Sequence, residues 1–322
     1  KYGISLLEPD SVQPASFEDF YQRYLDCLRA GEQLQIEESL LTDEIHREIL
    51  PLPFVSLFLD DCVARGLDCT NGGAVYNTTG LVAVGTATVA DSLYAIKRLV
   101  YDEKKLTLGE LTEILRNNFE GQEYLRQFIL NRFEKFGNDQ DCVDRLAVGI
   151  TDAFADKLEK HHNSRGGAFW GALYSVSAQV GLGNVCCATP DGRLDGLPLS
   201  DGLTPMYGMD RNGPTAVLAS LSKIHQKRFP NGIIVNQRMS GSLFKTPEGR
   251  EKMAQLLRAF VAAGCFHWQF NIVDNKVLLA AQKDPDEYRS LVVRVAGYSA
   301  IFVELSVKAQ NSIIDRYEAD LA

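Results

Sequence analysis

The sequence has no long apolar run. None of its 322 residues lies in a stretch that approaches the roughly 18 consecutive apolar residues of a membrane-spanning helix. No N-terminal segment combines a basic start with an apolar core, which is the pattern of a secretory signal. We therefore expect neither a membrane anchor nor a membrane partner.

Metal-binding patterns are also missing. The chain has five histidines, and none lies in an H-E-x-x-H pattern or at zinc-site spacing from a cysteine pair. No C-x-x-C occurs among its seven cysteines. An odd number of scattered cysteines is typical of a reducing compartment, so we expect a cytoplasmic protein without a metal site.

Phosphate-binding loops are absent from the sequence as well. Residues 70–80 are polar and rich in glycine, but they contain neither G-x-x-x-x-G-K-[ST] nor G-x-G-x-x-G. The formal net charge of −9 argues against nucleic acid as a partner. With 45% hydrophobic and 23% charged residues, the composition is that of a globular protein with one large or two medium domains.

The N-terminal segment differs from the rest of the chain. Residues 1–15 are punctuated by proline and glycine, and we interpret them as a linker-like segment before a folded part at 16–322. The first residue is Lys1 rather than methionine. We therefore expect the chain to begin inside a longer gene product or to have been trimmed.

Strand and helix patterns alternate in the last third of the chain. Short apolar or alternating runs predict strands at 232–238, 266–273 and 291–295. Helical periodicity separates the first two strands, and a final helix is predicted over 306–317. This alternation is typical of an α/β fold with largely parallel strands.

Three positions carry strong signals for the start of a helix. A serine or threonine precedes an apolar-periodic run at each of them, followed by a capping-box glutamate in the second case and by proline in the third. We predict helix starts at Ser16, Thr107 and Thr246, and a further short helix near Tyr288.

One segment near the C-terminus is more specific than any pattern above. Residues 294–305 have the sequence R-V-A-G-Y-S-A-I-F-V-E-L, with Gln310 following five residues later. This segment closely resembles the radical-bearing loop of glycyl radical enzymes. The resemblance implies that Gly297 stores the radical and that Arg294, Tyr298 and Ser299 are its loop neighbours. Glycine suits a planar α-carbon radical because it has no side chain to clash, and burial would keep out oxygen.

Further segments resemble the same family, in the family's order along the chain. The family fold is a ten-stranded α/β barrel made of two half-barrels, so the resemblance implies that this chain is one half-barrel with surrounding helices. It places the glycyl radical domain at about 200–322. The matching segments are 91–93, 119–121, 135–139, 188–193, 213–217 and 267–271.

The family's second radical position has no counterpart here. In the family the glycyl radical draws a hydrogen atom from a cysteine in a G-C-x-E-like loop, and none of the cysteines in this chain has that context. The resemblance therefore implies that the catalytic cysteine lies outside this chain. The adjacent pair Cys186 and Cys187 is interpreted as two small thiols in a turn-rich loop, because it precedes a segment that the family places elsewhere.

Polar residues on two predicted strands are candidates for a substrate pocket. Asn236 and Arg238 lie on one strand, and His267, Gln269 and Asn271 alternate along one face of the next. Two interpretations remain open for all five, which are pocket lining and a satisfied polar interior. Arg294 is expected to pair with an acid near the glycine loop, or to form a purely structural ion pair.

Several functions are compatible with this sequence. The resemblance favours the C-terminal part of a radical lyase that eliminates a group from a small polar substrate, as a dehydratase or a C–N or C–S lyase. The alternatives are a pyruvate formate-lyase-like acyltransferase, a fumarate-adding arylsuccinate or alkylsuccinate synthase, and a non-catalytic radical-carrying module that completes a partner chain. A hydrolase using Asp191 and Asp201 has no base–nucleophile pair to support it.

The resemblance also implies partners for the chain. We expect no bound cofactor, and a radical installed anaerobically by an S-adenosylmethionine activating enzyme with a [4Fe–4S] cluster. An isolated half-barrel would expose strand edges, so we expect an N-terminal half that bears the cysteine, and a homodimer.

Overall fold

The computed structural model describes residues 13–239, 241–295, 298–315 and 318–319, without the side chains of 242–243 and 318–319. Residues 1–12 of the predicted linker, and Gly297, lie outside this range. The chain divides into two compact units. The first comprises the residues up to Leu81 together with 152–172 and 228–231, and the second comprises 82–151, 173–227 and the residues from Gly232 onward. Within the described residues, no helix has the length and apolar character required to cross a membrane.

The described residues form a mixed α/β structure with twelve α-helices and seven short strands. The helices α1 to α12 are Phe17–Ile49, Pro53–Ser56, Cys62–Arg65, Thr86–Ile96, Leu108–Arg116, Glu123–Arg132, Asp141–Leu158, Ala178–Val185, Gly213–Ser222, Pro247–Ala262, Asn275–Lys283 and Val307–Ile314. The strands β1 to β7 are Thr79–Val82, Phe169–Ala172, Asn236–Met239, Gln269–Asn271, Val292–Arg294, Ser299–Ile301 and Glu318–Ala319.

The predicted helix starts are confirmed. Ser16 accepts a hydrogen bond from the Asp19 amide at 3.1 Å at the start of α1. Thr107 forms the complete capping box at the start of α5, and Thr246 caps α10 with proline at its first position. Near Tyr288 the structure has a 3-10 turn, and the longer α11 before it was not predicted.

The first unit packs aromatic rings around a glycine. Strands β1 and β2 pair, and the rings of Phe154 and Phe229 stack with centroids 6.4 Å apart. A methyl group at Gly171 would lie 3.1 Å from the Phe229 ring and 3.2 Å from Leu158. The absence of a side chain at this position therefore lets the rings approach the strand.

The second unit contains a parallel sheet with the order β4-β3-β7. Asn236 of β3 lies opposite Gln269 of β4, and Arg238 lies opposite Asn271. All four residues of β3 are buried although three of them are polar. The centre of this sheet is therefore a polar interior rather than an apolar one.

The expectation of largely parallel strands needs a correction. Strands β5 and β6 form an antiparallel hairpin in which Arg294 lies opposite Ser299. The sequence analysis predicted β5 but missed β6, because a three-residue strand is too short for alternation to reveal. The fold is therefore mixed, with parallel and antiparallel pairs.

A small apolar core supports this hairpin. Val293 and Val295 of the hairpin segment pack with Leu278 of α11 and Ile313 of α12. Phe302, which is fully buried, follows β6 and completes the cluster. The final helix ends at Ile314. Because Leu278 and Ile313 belong to α11 and α12, these two helices hold one face of the hairpin.

Glu32 on α1 is an unusual member of the first unit's interior. Its side chain is 3% exposed, and neither carboxyl oxygen has a hydrogen-bond partner among the described residues. Burial raises the pKa of Glu32 to about 8, although the positive charges of Lys157 and Arg29 oppose the shift. A carboxyl with a raised folded-state pKa stabilises the fold below its unfolded pKa, and this contribution is lost as the pH rises through about 8.

We predict that Glu32→Gln flattens the pH dependence of stability. In urea unfolding, the free energy of the wild type should fall from about pH 6 to about pH 9, and the variant should be the more stable of the two at the upper limit. Glu37→Gln changes an exposed residue of the same helix and should keep the wild-type profile. Parallel profiles for the wild type and Glu32→Gln would contradict the prediction.

Gly202 has a positive φ of +56° and lies next to the backbone carbonyls of Ile234 and Leu173. A methyl group there would lie 2.5 Å from the Ile234 carbonyl oxygen, so both conformation and space favour glycine. Gly213 also has a positive φ, +81°, but a methyl group there would meet nothing within 4 Å.

We predict that Gly213→Ala costs about 1 kcal/mol from backbone strain alone, whereas Gly202→Ala costs about 2–4 kcal/mol because the carbonyl must also move. Urea unfolding of the two variants measures the difference. Equal losses would show that the close approach at Gly202 has no energetic weight.

Candidate functional site

The candidate site is the hairpin that contains the predicted radical position. The Val295 amide donates a hydrogen bond to the Tyr298 carbonyl at 2.9 Å. Ala296 and Gly297, which join these two residues in the chain, lie outside the described residues. The structure therefore describes both flanks of the predicted radical position but not the position itself.

Arg294 connects the two strands of the hairpin through its side chain. Its Nη1 donates to Ser299 Oγ at 2.9 Å, and its Nη2 donates to Gln269 Oε1 at 3.0 Å. Within the described part of the chain, Arg294 makes no ion pair, so these neutral groups take the place of the acid that the sequence analysis expected. A guanidinium can only donate, so both partners present oxygen atoms to it.

The Arg294 backbone is also held in both directions. Asn271 Oδ1 accepts from the Arg294 amide at 2.9 Å, and Asn271 Nδ2 donates to the Arg294 carbonyl at 2.7 Å. The Asn271 side chain thus takes the place of an adjacent strand at this one residue. It fixes the hairpin against the end of β4.

Gln269 continues the contact inward to the parallel sheet. Its Nε2 donates to Asn236 Oδ1 at 2.7 Å, and Asn236 Nδ2 donates to Asp201 Oδ2 at 2.6 Å. The other carboxyl oxygen of Asp201 accepts a hydrogen bond from Ser175 Oγ. A continuous chain of hydrogen bonds therefore runs from a buried carboxylate to the hairpin.

The five predicted pocket residues have different surroundings. Asn236, Gln269 and Asn271 belong to the buried contacts above, with at most 6% of each side chain exposed. Arg238 is 1% exposed, and its Nη1 donates to Asn275 Oδ1 at 2.8 Å and to the carbonyl at the end of α12. These contacts satisfy polar groups of the interior, and a role in lining a pocket stays a prediction.

His267 lies at the edge of the same region. Burial lowers the pKa of His267, and the positive charge of Arg294 lowers it further. Its Nδ1 is buried and has no hydrogen-bond partner among the described residues. Burial and the nearby positive charge therefore both favour the neutral imidazole.

The outer side of the hairpin is open in this chain. The Tyr298 side chain is 36% exposed and Ser299 is exposed, whereas Val295 is 3% exposed. The described part of the hairpin is therefore buried at Val295 and exposed at Tyr298 and Ser299.

A separate cavity of about 310 Å³ lies in the second unit, and none of the five predicted pocket residues lines it. Asp91 forms part of its wall, and burial raises the pKa of Asp91 to about 7 although the charge of Lys135 opposes the shift. The Phe136 amide donates to Asp91 at 2.8 Å, and Lys135 donates to the Asp191 carbonyl at 2.9 Å.

The cysteine pair is held through its backbone. Arg193 Nη2 donates to the Cys186 carbonyl at 3.1 Å and to the carbonyl of Cys187. The Cys187 side chain is exposed and that of Cys186 is partly buried. Both thiols are free, and the described residues contain no cluster of His, Cys, Asp and Glu that could hold a metal ion.

The sequence analysis missed the role of Asp201 and Ser175. Asp201 entered it only as a possible hydrolase carboxylate, but its side chain is fully buried and occupied by Ser175 and Asn236. The sequence offers one local signal, which is a carboxylate directly before Gly202 in a glycine-rich loop. Nothing in the sequence indicates that this loop meets the sheet.

Two protein-family models match this chain, and one of them covers the hairpin. The family model described as pyruvate formate lyase-like matches residues 2–183, and the model described as glycine radical matches residues 199–303. The second match includes the hairpin.

Two relatives illustrate the range of similar proteins. The trans-4-hydroxy-L-proline dehydratase of Clostridioides difficile is 36% identical over 316 residues, which are 98% of this chain and 40% of the dehydratase. The isethionate sulfite-lyase of Oleidesulfovibrio alaskensis is 36% identical over 328 residues, which are 99% of this chain and 39% of the lyase.

A solved structure shows the same fold. The glycerol-bound form of the B12-independent glycerol dehydratase from Clostridium butyricum aligns with a TM-score of 0.90 and 41% identity, covering 94% of this chain and 38% of the dehydratase. This chain thus spans about two fifths of the length of the proteins that it matches. Their identity and coverage show that the chain belongs to the pyruvate formate lyase-like glycyl radical enzymes.

Proposed function

We propose that this chain is the C-terminal part of a glycyl radical lyase and that Gly297 stores the radical. The observation that supports this best is the hairpin itself. Arg294 and Ser299 are joined across it by a hydrogen bond of 2.9 Å, and the Val295–Tyr298 bond follows directly. Both flanks of Gly297 are therefore held at fixed positions.

The residues of this chain would contribute to the reaction by holding the radical at a fixed position. When the glycyl radical takes a hydrogen atom from a thiol, one C–H bond forms and one S–H bond breaks, so no ion is created. Such a transfer needs short, fixed distances rather than acid–base help at the glycine. Asn271 and Arg294 hold one strand of the hairpin, and the apolar core around Phe302 holds the other face.

The thiol is proposed to come from the part of the enzyme that precedes this chain. The relatives of this chain are about two and a half times as long as the chain itself. The exposed side of the hairpin leaves a surface that the preceding part could cover. We propose that residues 16–322 form one half of a ten-stranded barrel after a linker at 1–15. The glycyl radical domain would then occupy about 200–322, in keeping with the family match over 199–303.

The proposed reaction is elimination from a small polar substrate. The relatives described above are named as a dehydratase and a sulfite-lyase, which break C–O and C–S bonds, and this favours a dehydratase or lyase over an acyltransferase or a fumarate-adding synthase. Asn236, Arg238, His267, Gln269 and Asn271 remain the residues proposed to face or support the substrate pocket.

Partner proteins follow from the same proposal. A radical S-adenosylmethionine enzyme with a [4Fe–4S] cluster would install the radical, in the absence of oxygen. Exposed apolar side chains in the first unit support a further protein contact, with the N-terminal part or a second copy as the proposed occupant. These include Phe54, Leu57 and Phe58, which are 73%, 65% and 74% exposed.

A second candidate function is a radical-carrying module that completes a separate chain. The coverage of about two fifths of each relative is the observation that favours it. Mass spectrometry of the complex purified from its source distinguishes the two. A second chain with a G-C-x-E loop would favour the module, and one continuous polypeptide would favour the lyase.

We predict that the activated protein carries a glycyl radical that oxygen destroys by cutting the backbone. After activation by a competent activase and a reductant, electron paramagnetic resonance should show a doublet, and air should then yield a fragment that ends next to Gly297. Gly297→Ala should abolish both signals. A doublet without cleavage at this residue would contradict the assignment.

We also predict that the thiols of Cys186 and Cys187 take no part in turnover. In the activated enzyme that includes the N-terminal part, Cys186→Ser with Cys187→Ser should keep kcat within about threefold of the wild type, because Arg193 binds their carbonyls rather than their sulfur atoms. Loss of turnover with an intact radical signal would place the working thiol in this chain.

A further inference from the structure

We propose that Asp201 is a positioning residue for the radical hairpin, acting on Arg294 through the amide side chains of Asn236 and Gln269. The inference rests on the proposed function only in naming this hairpin as the radical carrier. The contacts from Asp201 to Arg294 are called the amide relay below.

The two ends of the amide relay give it a direction. Both carboxyl oxygens of Asp201 accept hydrogen bonds, from Ser175 and Asn236, and the guanidinium of Arg294 can only donate them. Each amide between them has one donor end and one acceptor end. Asp201 therefore orients Asn236, which orients Gln269, which in turn presents its oxygen to Arg294, over distances of 2.6, 2.7 and 3.0 Å.

Burial makes the wrong orientation costly. The Asp201, Asn236 and Gln269 side chains are 0%, 3% and 6% exposed. If either amide turned over, two oxygens or two NH2 groups would face each other away from water, and each unmade hydrogen bond carries a desolvation cost. The surrounding contacts add stiffness, because the backbone N–H of Asn236 donates to Thr204 Oγ1 at 3.0 Å and Ser175 Oγ donates to the other Asp201 oxygen.

The amide relay fixes the orientation of the Arg294 side chain. With Gln269 Oε1 fixed, Nη2 of Arg294 is fixed, and the planar guanidinium directs Nη1 to Ser299 on the opposite strand. Arg294 and Ser299 are register partners at the end of the hairpin that leads to Gly297. A buried carboxylate three side chains away from Arg294 thus sets how tightly the hairpin is closed.

The direction of the relay can be reversed by two substitutions. In Gln269→Glu, the introduced carboxylate pairs with Arg294 but confronts the Asn236 oxygen, and Asp201 prevents Asn236 from turning over. When Asp201→Asn is added, Asn236 can turn, and its NH2 group then meets the new carboxylate. The introduced amide at 201 donates to the turned Asn236 and still accepts from Ser175. The two hydrogen bonds of the Asn236 side chain are therefore restored with the opposite direction, and those from Ser175 and Arg294 keep theirs.

The test is hydrogen–deuterium exchange of the β5–β6 segment in the full 322-residue chain. At about pH 8, where a glutamate is ionised, Gln269→Glu should exchange about tenfold faster than the wild type, and Asp201→Asn a few-fold faster. The double variant should return to within about threefold of the wild type. Asp201→Asn would then speed exchange of the β5–β6 segment in the wild type and slow it in Gln269→Glu. Asp195→Asn changes an exposed carboxylate of the same loop region and should have no effect.

Additive effects, or a double variant that exchanges faster than Gln269→Glu, would overturn the amide relay. Exchange is read without any radical, so this failure is distinct from failure of the proposed function. In the activated full-length polypeptide, the glycyl radical yield should follow the same order as the exchange protection. A radical of equal yield in all variants would show that the relay does not position the radical hairpin.

Discussion

The hydrogen bond between Gln269 and Arg294 is the contact on which the candidate site depends. On one side of it lies a buried row of amides that ends at a fully buried carboxylate. On the other side lies a hairpin whose outer surface is open to solvent. The bond therefore joins a rigid interior to the hairpin, which is also held by the two hydrogen bonds of Asn271 and by a small apolar core.

This arrangement inverts the usual pattern of a half-buried strand. In β4 the polar residues Gln269 and Asn271 face the interior, while Phe266 and Ile272 beside the strand are 49% and 47% exposed. Burying amides is tolerable only when each donor and acceptor has a partner, and the sheet supplies them through β3 and the hairpin. The exposed apolar side of this segment is a surface that further protein can cover.

The same reasoning connects the hairpin to radical chemistry. A radical on a backbone carbon needs no charged neighbour, but it needs a loop that returns to one position after each cycle. Two-sided contacts on the Arg294 backbone, together with its side-chain bridge to Ser299, hold the described strands of the hairpin in one position, which is what the proposed radical function requires. The open outer side is consistent with a chain that spans two fifths of its relatives.

Local signals in the sequence determined the helix starts and the resemblance of residues 294–305 to the family's radical-bearing loop. Ser16, Thr107 and Thr246 act within one turn of the backbone, so their effect needs no tertiary information. The segment around Gly297 could be matched to the family because the residues that carry the resemblance are consecutive in the sequence.

Only the tertiary structure decided what the polar residues of the two strands do. Asp201, Asn236, Gln269 and Arg294 are separated by between 25 and 35 residues at each step, and periodicity cannot pair such positions. The strand β6 was missed for the related reason that its three residues take their conformation from β5 rather than from their own preferences. Long-range pairing turned a set of ambiguous polar residues into one directional chain, because buried amides must find partners wherever the fold places them.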